Sequence, residues 1–415
     1  MHILVINPGS SSIKFAMYAD GWAQLRVLYS GELSDIGEAS AALKLRDNAG
    51  KDVSGAVGEV KAGSMDEAIG VVQRVIALPA FAPPDAVGYR VVHPGPNLRG
   101  HQRLTPEVLA ELKKAVVFAP LHDPEALEMM EEMMRRAPDV PRFACFDTVF
   151  HETMPYEAAL YALPAAVREA GVRRYGFHGL SCESVVWQMR QTKNFPFRER
   201  LIIAHLGSGC SVTACVDGKS VDTTMGLTPT GGVVMGTRPG DLDPGVIFFL
   251  LRQPGATVES VESMLNHEAG LKGLFGSGDM QKLEEVLRGG GGQRVDGEAG
   301  PAWQVAEDAY DVFTSSVRRA IGGMAAVHGV DAIVFTGGIG EHDSGARDAI
   351  ASSLFNDQPL IDPWLNCSKD SGFRKISMDT SKIAVYVVPA EEDLMIARHV
   401  ARMCQESPLS EGESR

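Results

Sequence analysis

Two arginines sit beside the ends of apolar runs among small and turn-forming residues: Arg90 in GYRVVHPGP and Arg238 in MGTRPGDLDPG. A planar guanidinium holds carboxylate or phosphoryl oxygens two at a time, so this pair suits a phosphoryl group in transit beside an acid. Either arginine taken alone could equally form a surface salt bridge. Asp147 follows the apolar run Phe143 to Phe146, and Glu392 follows a strand ending at Val388; each carboxylate could reach Mg²⁺ directly or through water. Helix capping is the plainer role for Glu392 by itself. Two tips rich in glycine and serine complete the set, one running from Pro8 through Gly9, Ser10 and Ser11 to Ser12, the other from Leu206 through Gly207 and Ser208 to Gly209. At such tips backbone N–H groups and hydroxyls can approach a phosphate closely, because no Cβ intervenes. One such hairpin alone would mean only a tight turn; two copies favour the phosphate reading. A third glycine-rich stretch, VFTGGIGE over residues 334–341, offers a strand and a turn of bare backbone against which a nucleotide could lie.

These residues need strands and turns to position them. His2 to Asn7 reads as a strand, followed by the small-residue turn and a second strand from Ile13 to Tyr18. Leu201 to His205 repeats the pattern, leading through the second tip to an apolar, β-branched run ending at Val216 and the turn Asp217-Gly218. Overlaid, Asn7 matches His205, Gly9 matches Gly207 and Ser10 matches Ser208, while Asp20-Gly21 falls one residue off register from Asp217-Gly218. The match suggests a duplicated α/β domain whose hairpin tips face a shared cleft, with chance resemblance of two glycine-serine hairpins as the alternative. Between the hairpins lie a buried strand Val87 to Val92, a helix Thr105 to Val117 opened by Thr-Pro, and a short strand Arg142 to Phe146. In the second half a helix spans Trp303 to Val327, with Val305, Ala309, Val312, Phe313, Ala320, Ile321 and Met324 on one face. The strand Ala332 to Phe335, the turn Thr336 to Glu341 and a helix Ser344 to Leu354 follow. The last strand, Ile383 to Val388, gives way to a helix from about Glu391 to Met403. Arg288 to Gly300 reads as a surface loop and the end from Gln405 as a frayed tail.

At 415 residues the chain exceeds one hydrophobic core, so two domains of roughly 150 to 250 residues are expected. A formal charge of −14 disfavours nonspecific nucleic-acid binding, which needs a broad basic surface. No apolar run reaches the length of about 18 residues that a membrane span requires, and the N-terminus reads as a strand without signal-peptide features; a cytoplasmic protein is expected. Cys145, Cys182, Cys210, Cys215, Cys367 and Cys404 contain no CxxC pair, which favours buried reduced thiols over metal ligands or disulfides. DGKS at residues 217–220 lacks the first glycine of a P-loop, which would fall at Thr213. Gly207 and Gly209 lack the third glycine of a dinucleotide fingerprint.

Taken together, VINPGSSSIKF, RVVHPGP, APLHDP, FDTVFHETMP, RRYGFHG, HLGSG, DTTMGLTPTGGVVMGTRPGDLDPG, FTGGIGE and PAEEDL resemble the acetate kinase family, within the actin, sugar kinase and Hsp70 superfamily. The resemblance runs over nearly the whole chain. It implies an α/β fold of duplicated ribonuclease H-like (actin-like ATPase) domains around a central cleft. Domain I would comprise residues 1–147, completed by the helix 393–415, and domain II residues 148–392. It implies Mg²⁺ (or Mn²⁺) dependent phosphoryl transfer between ATP and acetate, giving acetyl phosphate and ADP, in a homodimer.

By the same resemblance Asn7, Ser10, Ser12 and Lys14 belong to the first phosphate hairpin, and His205, Gly207, Ser208 and Gly209 to the second. Arg90 and Arg238 would orient the acid and stabilise charge on the transferring group, to which His178 would donate a hydrogen bond. His122 and His205 would support the site. Asn7, Asp147 and Glu392 would position the metal. Asp279, Gln281, Gly338, Gly340 and Glu341 would line the nucleotide site, and Val92, Leu121, Phe177 and Pro229 a small apolar pocket for the acid. The chain departs from the family pattern at Ser208 (asparagine in HLGNG), at Thr230 to Gly232 (TPLEG), and at Asp279-Met280-Gln281 (Asp-Phe-Arg). It departs again at Glu391-Glu392-Asp393 (Asn-Glu-Glu) and His342 (asparagine). A propionate or butyrate kinase, or a nucleotide-binding sensor that has lost transfer, are the alternatives; a sugar kinase lacks its aspartate motif here.

Overall fold

The computed structural model describes residues 1–9, 12–19, 25–79, 81–119, 123–192, 199–290, 301–352, 354–356 and 358–406. The chain divides into two compact units, one of Met1–Val149 with Glu391–Arg415, the other of Phe150–Ala390.

The first unit carries β1 (His2–Pro8), β2 (Ile13–Ala19), β3 (Arg26–Ser34), β4 (Ala42–Asp47), β5 (Ala86–Val91), β6 (Gln102–Arg103) and β7 (Arg142–Phe146), in the sheet order β4-β3-β2-β1-β5-β7-β6. The second carries β8 (Arg200–Leu206), β9 (Cys210–Val216), β10 (Lys219–Thr223), β11 (Ala332–Thr336), β12 (Arg374–Lys375) and β13 (Ala384–Val387), in the order β10-β9-β8-β11-β13-β12. Both sheets have the same wiring. An antiparallel hairpin (β1-β2; β8-β9) is joined by two parallel strands (β5 and β7; β11 and β13) and ends in a short antiparallel strand (β6; β12). Among the described strands only β4 has no counterpart. The duplication seen in the hairpin sequences therefore extends through each sheet.

Asn7 and His205 occupy the penultimate position of β1 and β8, as the overlay expects. The first tip closes with Gly9 N–H donating to the Ser12 carbonyl (2.7 Å), the second with Gly207 N–H donating to the Gly209 carbonyl (3.1 Å). The second tip is one residue shorter, which accounts for the one-residue slip of the following turn. Asp20 and Gly21 themselves lie outside the described residues.

The central strands of both sheets are buried, as their continuous apolar runs require when helices cover both faces. In the first unit the helices Met65–Ile76 and Asp123–Arg136 contribute Val71, Val72, Met129 and Met130 to a core with Leu4, Ile6 and Tyr89. The C-terminal helix Glu392–Glu406 packs on β1 and β5. In the second unit the helix Gly179–Gln191 lays Cys182, Val185 and Met189 against Leu201, Ile203 and Val334.

Several sequence readings shift. The helix Pro106–Ala115 is capped by Thr105, whose hydroxyl accepts from Val108 N–H, and tightens into a single further turn over Val116–Phe118. The long helix spans Pro301–His328, and its buried line is Ala306, Ala309, Phe313, Val317, Ile321 and Met324. Val305 and Val312 are exposed, because the true stripe runs about a quarter-turn from them. The glycine-rich turn is mostly helical, Gly337–His342: Gly337 takes φ of +76° and reverses the chain in one residue. The following helix is shorter than expected, Ser344–Ala351, and the C-terminal helix longer. Residues 288–290 of the expected surface loop belong to a helical turn, Val286–Gly290; 291–300 and 407–415 lie outside the described residues. Cys145, Cys182, Cys210 and Cys215 are buried, Cys367 is exposed and Cys404 partly so, and among the described residues none forms a disulfide.

Candidate active site

In the first unit Arg90 is the hub. It stands on β5 beside β7, and the parallel register pairs it with Cys145 and Val91 with Phe146, so Asp147 emerges one step past the end of the neighbouring strand. The Asp147 carboxylate takes Arg90 Nε at 2.9 Å and Nη2 at 2.5 Å, a bidentate fork, and Arg90 Nη1 donates to Asn7 Oδ1 at 3.2 Å. Glu392 Oε2 lies 3.9 Å from Arg90 Nε, in the first turn of the C-terminal helix. Burial opposes the charge on Arg90, but Asp147 and Glu392 overcome it and hold the guanidinium pKa above its ordinary value. Asp393, missed by sequence reasoning, joins the cluster: its carboxyl accepts from the Asn7 side chain, and burial together with Glu392 raises it to about 6. Lys14, paired with Asn7 across the hairpin, points its ammonium toward Glu32 at 3.8 Å. Ser12 closes the tip through its carbonyl. Ser10, Leu121 and His122 lie outside the described residues.

In the second unit the hairpin tip collects the other candidates. His178 adopts φ of +56° immediately before the helix Gly179–Gln191, which turns its ring toward β8 and β9. It stacks on His205 (ring centroids 4.1 Å apart) and shares a hydrogen bond from Nδ1 with Ser211 Oγ at 3.0 Å; His205 Nδ1 shares one with Ser181 Oγ at 2.8 Å. Arg238 Nη1 donates to the Pro229 carbonyl at 3.0 Å. A methyl group on Gly209 would lie 3.2 Å from His178 Nε2 and 3.4 Å from Arg238 Nη1, so both cationic or donor groups border the same few ångströms of tip. Phe177 is buried, its carbonyl engaged by His151 Nε2 at 2.9 Å.

The segment carrying Arg238 is held by backbone contacts that leave no space for side chains. Gly236 N–H donates to the Ser208 carbonyl, and a Cβ on Gly236 would meet the Gly278 carbonyl at 2.8 Å. That close approach ties the tip to the turn before Asp279. Asp279 caps the helix Met280–Glu285 by accepting from Gln281 N–H at 2.9 Å, and both residues are exposed. Gly338 presents open backbone: a Cβ there would touch nothing within 4 Å, while its N–H nitrogen lies 3.9 Å from the Cβ position of Gly207. Gly340 packs its backbone over β8 and β11, and its carbonyl accepts from Arg347. Glu341 turns inward, its Oε1 accepting from Gly337 N–H (3.1 Å) and Ala390 N–H (3.0 Å), so it braces the turn.

Each unit thus presents a distinct chemistry: a guanidinium ringed by Asp147, Glu392 and Asp393 in the first, and glycine backbone with His178 and Arg238 in the second. The supporting partners Ser181 and Ser211 carried no motif. Asp393 is the third of three consecutive acids, and adjacency to Glu392 was the one available signal.

The family model described as the Acetokinase family matches residues 2–398. The chain is 38% identical over 417 residues to a protein named acetate kinase from Corynebacterium jeikeium, covering 98% of this chain and 99% of that one. Among solved structures, an acetate kinase from Porphyromonas gingivalis is similar with a TM-score of 0.83 at 31% identity, covering 97% of this chain and 99% of that chain. A propionate kinase from Francisella tularensis gives 0.85 at 31% identity, with the same coverage. The fold is the duplicated actin-like ATPase fold of these kinases, and the chain belongs to the acetokinase family, a family of enzymes.

Proposed function

We propose that this acetokinase-family enzyme transfers the γ-phosphoryl group of ATP to acetate in a single in-line step, reversibly, giving acetyl phosphate and ADP. The observation that carries the reading is the Arg90 fork. Of its five N–H donors, two meet Asp147 and one meets Asn7, which leaves two to orient a carboxylate. Acetate is ionised at pH 7 and needs no base, so positioning and charge stabilisation suffice. Arg238 and His178 would meet the equatorial oxygens of the phosphoryl group. In the tautomer in which Ser211 donates to Nδ1, the ring proton of His178 sits on Nε2, beside Gly209, where it can be given as a hydrogen bond. The glycine tips and the backbone of Gly338 and Gly340 would receive nucleotide phosphates and adenosine, with Asp279 and Gln281 at the rim.

Three carboxylates around one guanidinium leave surplus negative charge, and burial together with the Glu392 charge raises the Asp393 carboxyl; this donor set fits Mg²⁺ or Mn²⁺. Asn7, Asp147 and Glu392 would hold the ion, which when bound neutralises charge on the nucleotide phosphates. Val92, Leu121, Phe177 and Pro229 would enclose the alkyl end of the acid. The two compact units would be the two actin-like domains. Among the described residues no helix is long and apolar enough to cross a membrane; we place the enzyme in the cytoplasm, with its substrates and without nucleic-acid or membrane partners, as a homodimer. The exposed apolar helix Pro244–Leu251 supports that assembly.

Comparing kcat/KM for acetate, propionate and butyrate, with the acyl phosphate trapped as hydroxamate, tests the substrate. One methylene in an apolar pocket is worth about 1 to 3 kcal/mol, so acetate should lead propionate by roughly tenfold or more, with butyrate last. A higher value for propionate would assign the enzyme to that acid instead.

A further inference from the structure

Asp123 opens the helix Asp123–Arg136 and is 2% exposed. Its Oδ1 accepts from Val92 N–H (3.2 Å) and His93 N–H (3.4 Å), the two residues that follow β5 and its Arg90. Its Oδ2 is buried and has no hydrogen-bond partner among the described residues. A carboxylate with one oxygen idle in the interior is costly, and a neutral carboxyl is less so. We propose, resting on the acetate kinase reading above, that Asp123 is a positioning residue for the acid: its carboxyl clamps the backbone of Val92 and His93, and its charge state sets how much of the Arg90 field remains for the substrate carboxylate.

The surrounding charges agree with this role. Burial raises the carboxyl to about 7, against the two backbone hydrogen bonds; Asp147 pushes it further up and Arg90 pulls it down. Among the described residues, buried His93, through the backbone bond above, and Glu125, two residues on in the same helix, are further titratable groups. The helix N-terminus favours the ionised form, but burial outweighs it. While Asp123 is neutral, the negative charges facing Arg90 are those of Asp147, Glu392 and Asp393. Once ionised, it adds another to a site that must accept an anion, and by linkage a bound acid raises its pKa.

The experiment is the KM for acetate from pH 6 to 8.5, with ATP and Mg²⁺ saturating, in the wild type, Asp123→Asn and Asp123→Ala. In the wild type KM should rise about tenfold across pH 7, the factor for a one-unit pKa displacement on binding, with kcat nearly flat. Asp123→Asn keeps an acceptor for both amides but cannot ionise, so its KM should stay low and level. Asp123→Ala loses the clamp and should raise KM at every pH. Wild-type turnover with a KM independent of pH, which requires no variant to fold, overturns the proposal, as does an Asp123→Asn profile parallel to the wild type. No turnover of any short acid by folded wild type would instead sink the functional reading, and the proposal with it.

Discussion

At the scale of single residues, the account depends on one guanidinium being shared between Asp147, Asn7 and a substrate carboxylate. Lysine at position 90 would keep the charge, but an ammonium cannot span both Asp147 oxygens and still reach Asn7 Oδ1. Arg90→Lys should therefore lower kcat/KM for acetate by about a hundredfold with circular dichroism unchanged; a loss within threefold would show that charge alone suffices. Arg90 and Asp147 were legible because each stands at the end of an apolar run, and the parallel pairing of β5 with β7 makes strand ends neighbours. Asp393 was not legible, because which of Glu391, Glu392 and Asp393 turns toward Asn7 is decided by where the last helix begins. Ser181 and Ser211 were equally silent: a serine beside a histidine ring is a consequence of packing between the helix Gly179–Gln191 and β9, and it leaves no local pattern.

At the scale of elements, the two hairpins are the best-read features, since alternating strands around a glycine-serine tip leave little else to form. The second tip functions through what it lacks. A methyl group at Gly209 would press on His178 Nε2 and Arg238 Nη1 together, both of which must move by a few tenths of an ångström. Gly209→Ala should thus cut kcat by about ten- to a hundredfold while shifting Tm by no more than about 2 °C; unchanged kcat would place the phosphoryl group elsewhere. The turn at Gly337 was read as irregular because glycines argue against helix, yet one glycine with positive φ makes the bend and the next residues coil at once. Strands β3, β4 and β10 escaped notice, because pairing with neighbouring strands, more than their own sequence, holds them extended.

At the scale of the whole molecule, the duplication is visible in sequence only where the hairpins keep glycines and polar residues in register. The sheets beyond them share wiring without sharing letters, because many apolar side chains satisfy a buried strand. The helix Pro244–Leu251 breaks the usual pattern of inward apolar faces: Phe248 and Phe249 are 56% and 62% exposed, and Val246 and Ile247 more than a third. An apolar surface of this kind marks an interaction site, and a second copy of the chain is the proposed occupant. Light scattering should return twice the chain mass for the wild type and the single mass for the Phe248→Asp, Phe249→Asp double variant; a monomeric wild type at micromolar concentration would refute the assembly.

The most direct test of the central claim is the initial rate of acetyl phosphate formation by the wild-type chain with ATP, Mg²⁺ and acetate. The account predicts sustained turnover, at least about 1 per second, that requires all three components. A folded chain that binds ATP but forms no acetyl phosphate would contradict it, and would identify a nucleotide-binding protein that has kept the family's fold and lost its transfer.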